Sequence, residues 1–197
     1  MALNSDAVEN GDGRSGALVI FTRVEGLLRE RTHGPSAAAG DPLRFLSCQG
    51  VPLVLVSAWE ASEIRQLQCE FGLSQPFICD EGAALHVPQA RLGALPADRS
   101  RSHDETEWEI FRFDPPSISA AFHLASGLFL ARGYDPLLTI GIGCSLSDYA
   151  LLSAVDIPIV IREDGCQPEL LRHLPGVYVT SATGIAGWSE AVLGAAP

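Results

Sequence analysis

Two charged side chains, Arg23 and Glu25, follow a short apolar run in the segment Ala17–Leu28, ALVIFTRVEGLL. The apolar run is typical of a buried strand, so both side chains are predicted to lie at its C-terminal edge. In an open α/β sheet, that edge is where ligands bind. A carboxylate there can act as a nucleophile or a general base. A guanidinium cannot, because it stays protonated and offers no lone pair.

Two further segments place polar side chains at the ends of predicted strands. Ser57 ends the apolar segment VPLVLVS, where its hydroxyl can hold an anion beside a helix N-terminus or, more commonly, cap that helix. Cys144 and Asp148 lie in the segment IGIGCSLSD, before and within a predicted helix. A helix N-terminus lowers the pKa of a nearby thiol, but a lone cysteine among glycines is more often a small structural residue.

The elements that would position these side chains alternate between apolar strands and amphipathic helices. In chain order we predict a strand over 17–21, a helix around 43–46, a strand over 51–57, a helix over 60–71, strands over 76–79 and 83–87, an edge strand over 108–113, a helix over 117–132, a strand over 136–141, a helix over 145–154, strands over 157–161 and 177–180, and a helix over 187–193. This order favours an α/β fold with a mainly parallel sheet and right-handed crossovers.

Composition narrows the classes of function. The 197 residues carry a formal net charge of −11, and all 13 basic residues are arginine, so a nucleic-acid partner is not expected. No apolar run approaches the roughly 20 residues of a membrane helix. Residues 1–15 are polar, without the basic start and apolar core of a targeting peptide, which predicts a flexible tail and a cytoplasmic location. Five cysteines without a CxxC pair predict reduced and mostly buried thiols.

Several of these segments resemble one phosphatase superfamily. The frame from Arg23 to Leu28, RVEGLL, resembles the first motif of the haloacid dehalogenase superfamily, a strand ending in DxDGTL whose first Asp is the nucleophile and whose second is the general acid/base. Ser57 matches the Ser or Thr of the second motif, and residues 140–148 resemble the fourth, GDxxND. PFICDEGAA, VDIP and GWSEAVL resemble the PFIxENGAA, VDIP and GWNEAVL segments of mannosyl-3-phosphoglycerate phosphatases.

The resemblance implies a three-layer, Rossmann-like core over 16–87 and 117–197, with an inserted cap that is reduced here to residues 88–116. It also implies Mg²⁺ and hydrolysis of a phosphorylated sugar acid. The sequence departs from the family's motifs at the positions that carry the catalytic groups. Arg23 stands at the nucleophile position and Cys144 at a metal-binding acid, so Asp148 is the one metal ligand left, if any. The third motif normally supplies a Lys, and Arg132 is the basic residue nearest its expected position.

We therefore expect a catalytically degenerate phosphatase homologue that needs no cofactor. It would bind a protein partner, a second copy of itself, or a phosphorylated metabolite held by Ser57, Arg23 and Arg132. Arg23 either replaces the charge of the metal, which we favour, or binds an anion. The alternative is an Mg²⁺-dependent phosphatase with an unconventional site, in which Glu25 or Asp148 takes over the chemistry.

Overall fold

The computed structural model describes residues 17–25, 28, 39–89, 101–104, 108–135, 137–163 and 168–195. The strands are β1 (Ala17–Arg23), β2 (Leu53–Val56), β3 (Phe77–Cys79), β4 (Ala84–Pro88), β5 (Arg101–Asp104), β6 (Trp108–Arg112), β7 (Leu137–Gly143), β8 (Ile157–Arg162) and β9 (Tyr178–Thr183). The helices are α1 (Gly40–Gln49), α2 (Ala61–Phe71), α3 (Ile118–Leu130), α4 (Tyr149–Leu152), α5 (Pro168–His173) and α6 (Gly184–Ala195).

One sheet runs through the described part of the chain, in the order β5-β6-β4-β3-β2-β1-β7-β8-β9. The six strands from β3 to β9 in that order are parallel, and β4, β6 and β5 continue the sheet as antiparallel neighbours. Parallel neighbours need crossover connections, and α1, α2, α4 and α5 lie on such connections. The predicted α/β class with a mainly parallel sheet is confirmed.

The centre of the sheet is buried on both faces. Leu18 and Ile20 of β1 belong to an apolar cluster with residues of α1, α2 and α6. Val19 and Phe21, which alternate with them, belong to a second cluster with α3 and α4. Period-two alternation sends neighbouring side chains to opposite faces, so one apolar strand serves two helical layers. The result is the three-layer arrangement that the sequence predicted.

The prediction of an edge strand over residues 108–113 was wrong in its position. β6 lies inside the sheet between β4 and β5, and its Ile110 and Phe111 are buried on opposite faces. The outer neighbour, β5, has the sequence RSHD, whose polar pattern carries no strand signal. Pairing with β6, whose residues lie four to ten positions further along the chain, makes this segment a strand. The assignment of residues 88–116 to a reduced cap stays a prediction, and the tail over 1–15 lies outside the described residues.

Two other elements differ from the predictions. α5 was not predicted, because Pro168–His173 is short and has one buried residue, Leu170. The helix predicted over 145–154 is a 3-10 turn, Leu146–Asp148, followed by the single turn of α4. Among the described cysteines, Cys79 and Cys144 are buried while Cys48 and Cys69 are exposed, so burial was predicted correctly for half of them. In the part of the chain that the structure describes, no helix combines the length and the apolar character of a membrane span.

Candidate functional site

The ends of three neighbouring strands bring the predicted residues together. β1 lies between β2 and β7 and runs parallel to both. Its last residue, Arg23, is opposite Val56 of β2, and Thr22 is opposite Ile142 of β7. Ser57 and Cys144, which directly follow β2 and β7, therefore lie at the same sheet edge as Arg23. This is the carboxyl edge where open α/β sheets bind ligands.

A buried ion pair between Arg23 and Asp148 lies at this edge of the sheet. Arg23 Nε lies 2.8 Å from Asp148 Oδ1, and the two side chains are 5% and 1% exposed. Arg23 Nε also lies 3.4 Å from Oε2 of Glu25, whose side chain is 27% exposed. The guanidinium thus neutralises a buried acid that would otherwise be unpaired, which is the condition under which a buried charge is tolerated. The Arg23 guanidinium thus supplies the positive charge beside Asp148 and Glu25.

The second oxygen of Asp148 is held by the turn that follows β7. Oδ2 accepts the Cys144 N–H at 2.7 Å, the Ser145 N–H at 2.9 Å and the Ser145 hydroxyl at 3.1 Å. Gly143 makes this approach possible, because a Cβ there would lie 2.7 Å from the Asp148 Cβ and 2.9 Å from its Oδ2. Asp148 is therefore fixed between a turn on one side and a guanidinium on the other.

Glu25 reaches across to the segment after β2. Its Oε1 accepts the Ser57 hydroxyl at 2.5 Å and the Ala58 N–H at 2.6 Å. Hydrogen bonds to a carboxylate are short and strong because the acceptor is charged. Ser57 Oγ in turn accepts the Trp59 N–H at 2.9 Å. The serine is thus buried and fully engaged, with a donated and an accepted bond.

The capping role considered for Ser57 was wrong in detail. The N-cap of α2 is Glu60, which forms a capping box with Glu63. Ser57 lies three residues earlier and closes a local turn through Trp59 instead. The loop after β2 is further held by the Asp80 N–H bonding the Trp59 carbonyl at 3.1 Å.

Magnesium does not fit the described arrangement. The cation needs several hard oxygen ligands with free lone pairs, whereas Asp148 and Glu25 face Arg23 and the N–H and hydroxyl donors above. Within the ranges that the structure describes, no group of three or more His, Cys, Asp or Glu side chains is placed to hold a metal. The positive charge beside Asp148 is supplied by a side chain, and a second cation there would be repelled by it.

Cys144 is not arranged as a reactive thiol. Burial raises its pKa, and the negative charges of Asp148 and Glu163 raise it further. Only three residues of 3-10 helix and one turn of α4 follow, so little helix dipole opposes these effects. The structural interpretation of Cys144 is the one that its surroundings favour.

Arg132 is the predicted site residue that the structure does not bring to the cluster. It follows the C-terminal end of α3 and precedes β7, whose first residue, Leu137, pairs with Ala17 at the start of β1. The start of β1 is the edge opposite Arg23. The expected position had been inferred from chain order alone, and a 13-residue helix that runs back across the sheet separates the two edges.

Two supporting residues were missed by sequence reasoning. Trp188 of α6 donates its Nε1–H to the Thr22 hydroxyl at 3.0 Å, and both side chains are fully buried. Thr22 precedes Arg23, so this bond ties the end of β1 to α6. The segment GWSEAVL could have indicated such a contact, because the indole N–H of a buried tryptophan needs a hydrogen-bond partner. Gly187 lets α6 approach, because a Cβ there would lie 2.4 Å from the Ala182 carbonyl oxygen.

The whole chain was compared with known protein families and with individual proteins. No protein-family model matches the chain. Its sequence is 23% identical, over 258 aligned residues, to the glucosyl-3-phosphoglycerate/mannosyl-3-phosphoglycerate phosphatase of Persephonella marina, covering 89% of this chain and 96% of that protein. Because this chain has 197 residues, the relative contains a substantial number of residues with no counterpart here.

Solved structures agree on the fold. A haloacid dehalogenase-like hydrolase from B. subtilis superposes with a TM-score of 0.59 at 13% identity, covering 89% of this chain and 98% of that one. The cobalt-bound deoxy-D-mannose-octulosonate 8-phosphate phosphatase from Haemophilus influenzae superposes with a TM-score of 0.55 at 12% identity, covering 89% and 86%. The haloacid dehalogenase-like fold and the resemblance to mannosyl-3-phosphoglycerate phosphatases are thereby confirmed, and the chain is a homologue of phosphatases.

Proposed function

We propose that this chain is a phosphatase homologue without phosphoryl-transfer activity, which acts by binding a protein partner or a phosphorylated metabolite. The observation that carries the proposal is the buried contact of 2.8 Å between Arg23 and Asp148. The contact pairs the one metal-binding acid that the resemblance leaves to the chain with a guanidinium, which stays charged and cannot attack phosphorus.

The neighbouring groups support the same conclusion. Glu25 is the remaining carboxylate near the end of β1, and its oxygens face Ser57, Ala58 and Arg23. A nucleophile needs an open line of attack at about 3 Å from the reacting atom, and Glu25 Oε1 already accepts two hydrogen bonds. The Cys144 thiol, with its raised pKa, does not replace it. We propose accordingly that no metal cofactor is required.

The alternative is an active Mg²⁺-dependent phosphatase that hydrolyses a phosphorylated sugar acid. The observation in its favour is the alignment, which spans 96% of a relative named for glucosyl-3-phosphoglycerate and mannosyl-3-phosphoglycerate phosphatase activity. Such an enzyme would have to displace Arg23 from Asp148 before a cation could bind.

Phosphate release from a panel of sugar and glycerate phosphates, with and without Mg²⁺, decides between the two. We expect the wild type to release no more phosphate than Asp148→Asn, a variant of the same size purified in the same way. The Persephonella marina phosphatase provides the positive control. Mg²⁺-dependent release by the wild type that disappears in Asp148→Asn would establish the enzyme alternative and end the binding proposal.

A further inference from the structure

The strand β9 forms one outer edge of the sheet, and β5 forms the other. In the described part of the chain, β9 therefore has a neighbouring strand on one side alone. A free edge presents backbone N–H and C=O groups to which a strand of another molecule can pair. The sequence of β5, RSHD, contains charged residues, which oppose such pairing. The sequence of β9, YVTSAT, contains neither a charge nor a proline.

The carboxylate of Glu190 covers two backbone N–H groups of β9. It accepts the Ser181 N–H at 2.9 Å and the Ala182 N–H at 3.0 Å, and the Tyr178 hydroxyl donates to it at 2.7 Å. These hydrogen bonds, first of all those from the two N–H groups, lower the pKa of Glu190 to about 2, so the carboxylate is charged at neutral pH. Glu190 belongs to α6, which directly follows β9 and contacts it. The next element of the chain thus supplies the charge that β9 lacks.

The two covered N–H groups do not take part in pairing with β8. The register between the strands is irregular after Val160, and the Arg162 N–H donates to the Thr180 hydroxyl at 3.0 Å. The Ser181 and Ala182 N–H groups turn to Glu190 instead. Removing the carboxylate leaves both donors open to water or to an acceptor on another molecule, because a backbone N–H needs a partner.

Exposed apolar side chains lie near the same carboxylate. Tyr178, which donates to Glu190, is 41% exposed, and Ile157 of β8 is 36% exposed. Both lie on one face of the sheet, because Tyr178 is opposite Ile159, two residues from Ile157. Leu193 is 50% exposed and lies three residues after Glu190, on the same face of α6. Burial of such side chains would stabilise pairing between two molecules at this edge.

We propose that Glu190 keeps the β9 edge closed to a second copy of this chain. A second copy is the partner that the edge favours, because an uncharged strand can pair with itself about a two-fold axis and bury the same apolar side chains on both molecules. The carbonyl groups of one β9 would need N–H groups of the other, and Glu190 occupies those of Ser181 and Ala182. The axis would also bring two charged carboxylates together, which repulsion opposes. The inference does not depend on the proposed function.

Sedimentation velocity over a range of protein concentrations tests this inference. The apparent affinity of a surface falls with the fraction of molecules in which it is open, and a dimer needs two open molecules. If Glu190 covers the edge in about nine molecules of ten, the dimer association constant of Glu190→Ala is about a hundredfold higher than that of the wild type. Glu169→Ala is the matched control, because it removes one exposed acid from α5 and changes the net charge equally. We expect this control to associate no more than the wild type.

Two further variants identify the surface that associates. Glu190→Gln keeps the size of the side chain and removes its charge, so a smaller gain is expected, and this variant serves if Glu190→Ala folds poorly. Glu190→Ala combined with Tyr178→Lys should lose the gain, because a lysine on an edge strand opposes pairing. Circular dichroism establishes that each variant is folded before it is sedimented.

The outcomes decide the inference one way or the other. Dimers that form in Glu190→Ala, to a smaller extent in Glu190→Gln, and not in the lysine double variant would support it. Equal association of the wild type and both single variants at position 190 would overturn it. A gain that is also found in Glu169→Ala would be a general effect of charge, and a gain that survives Tyr178→Lys would lie on another surface; either result would overturn the role of Glu190 at β9.

Discussion

Replacing Arg23 by alanine should destabilise the protein severely. The substitution removes the cation 2.8 Å from Asp148, whose side chain is 1% exposed, and leaves that acid buried. Removing one partner of a buried pair costs about 3–5 kcal/mol of the free energy of unfolding. Asp148 keeps the Cys144 and Ser145 N–H bonds, so we expect the lower part of this range, about 3 kcal/mol. The lost contact with Glu25 adds little, since that acid is partly solvated.

Urea unfolding followed by far-ultraviolet circular dichroism measures this loss as a lower midpoint with an unchanged slope. Arg44→Ala is the matched control, because Arg44 is an exposed arginine on α1 and its removal should cost no more than about 0.5 kcal/mol. Asp148→Asn and the double variant complete a cycle. The two changes should be non-additive by about 2 kcal/mol, since each removes the same interaction. A cost below about 1 kcal/mol for Arg23→Ala, or simple additivity, would refute the structural role assigned to the guanidinium.

Two other substitutions test the close packing of Gly143 at the site and the hydrogen bonds that Glu190 of α6 makes to β9. Gly143→Ala places a Cβ 2.7 Å from that of Asp148, so it should lower the free energy of unfolding by about 1–3 kcal/mol, and an unchanged urea midpoint would contradict this packing. Glu190→Gln removes a carboxylate whose pKa is lowered to about 2 by the Ser181 and Ala182 N–H groups and the Tyr178 hydroxyl. Because its folded-state pKa is depressed, the stability it adds is present above its ordinary value of 4.5 and disappears as the pH falls through about 2. The wild type should therefore melt above Glu190→Gln at pH 7, with a gap that narrows on acidification; a gap that widens would contradict the assignment.

The parts of the fold with a strong local pattern were predictable from sequence. α3 was predicted over residues 117–132 and is observed over Ile118–Leu130, where the Ser117 hydroxyl caps it by accepting the Ala120 N–H. β1 was predicted because an uninterrupted apolar strand between two helical layers needs no partner to be recognised. The place of β6 could not be predicted, because it depends on pairing with β4, which lies 20 to 28 residues earlier in the chain. β5 could not be predicted because its sequence, RSHD, has no apolar alternation and it becomes a strand only beside β6.

In the candidate site, too, some features were predictable from the sequence and others were not. Arg23, Glu25, Ser57 and Asp148 could be brought to one edge by reasoning from strand ends alone. Which atoms bond was not accessible, since Glu25 and Ala58 are 33 residues apart and nothing local marks their contact. The prediction for Arg132 was wrong because the residue lies between the C-terminal end of α3 and the first residue of β7, and a parallel strand starts at the sheet edge opposite Arg23.

The Arg23–Asp148 contact also constrains how sequences of this kind can diverge. With a neutral residue at position 23, Asp148 and the partly buried Glu25 would share one edge without a cation. With a neutral residue at position 148, the guanidinium would lose its buried partner. Substitution at either position therefore costs less when its counterpart changes as well, and we expect positions 23 and 148 to co-vary among homologues that carry this pair. Position 25, which is more exposed, should change more freely.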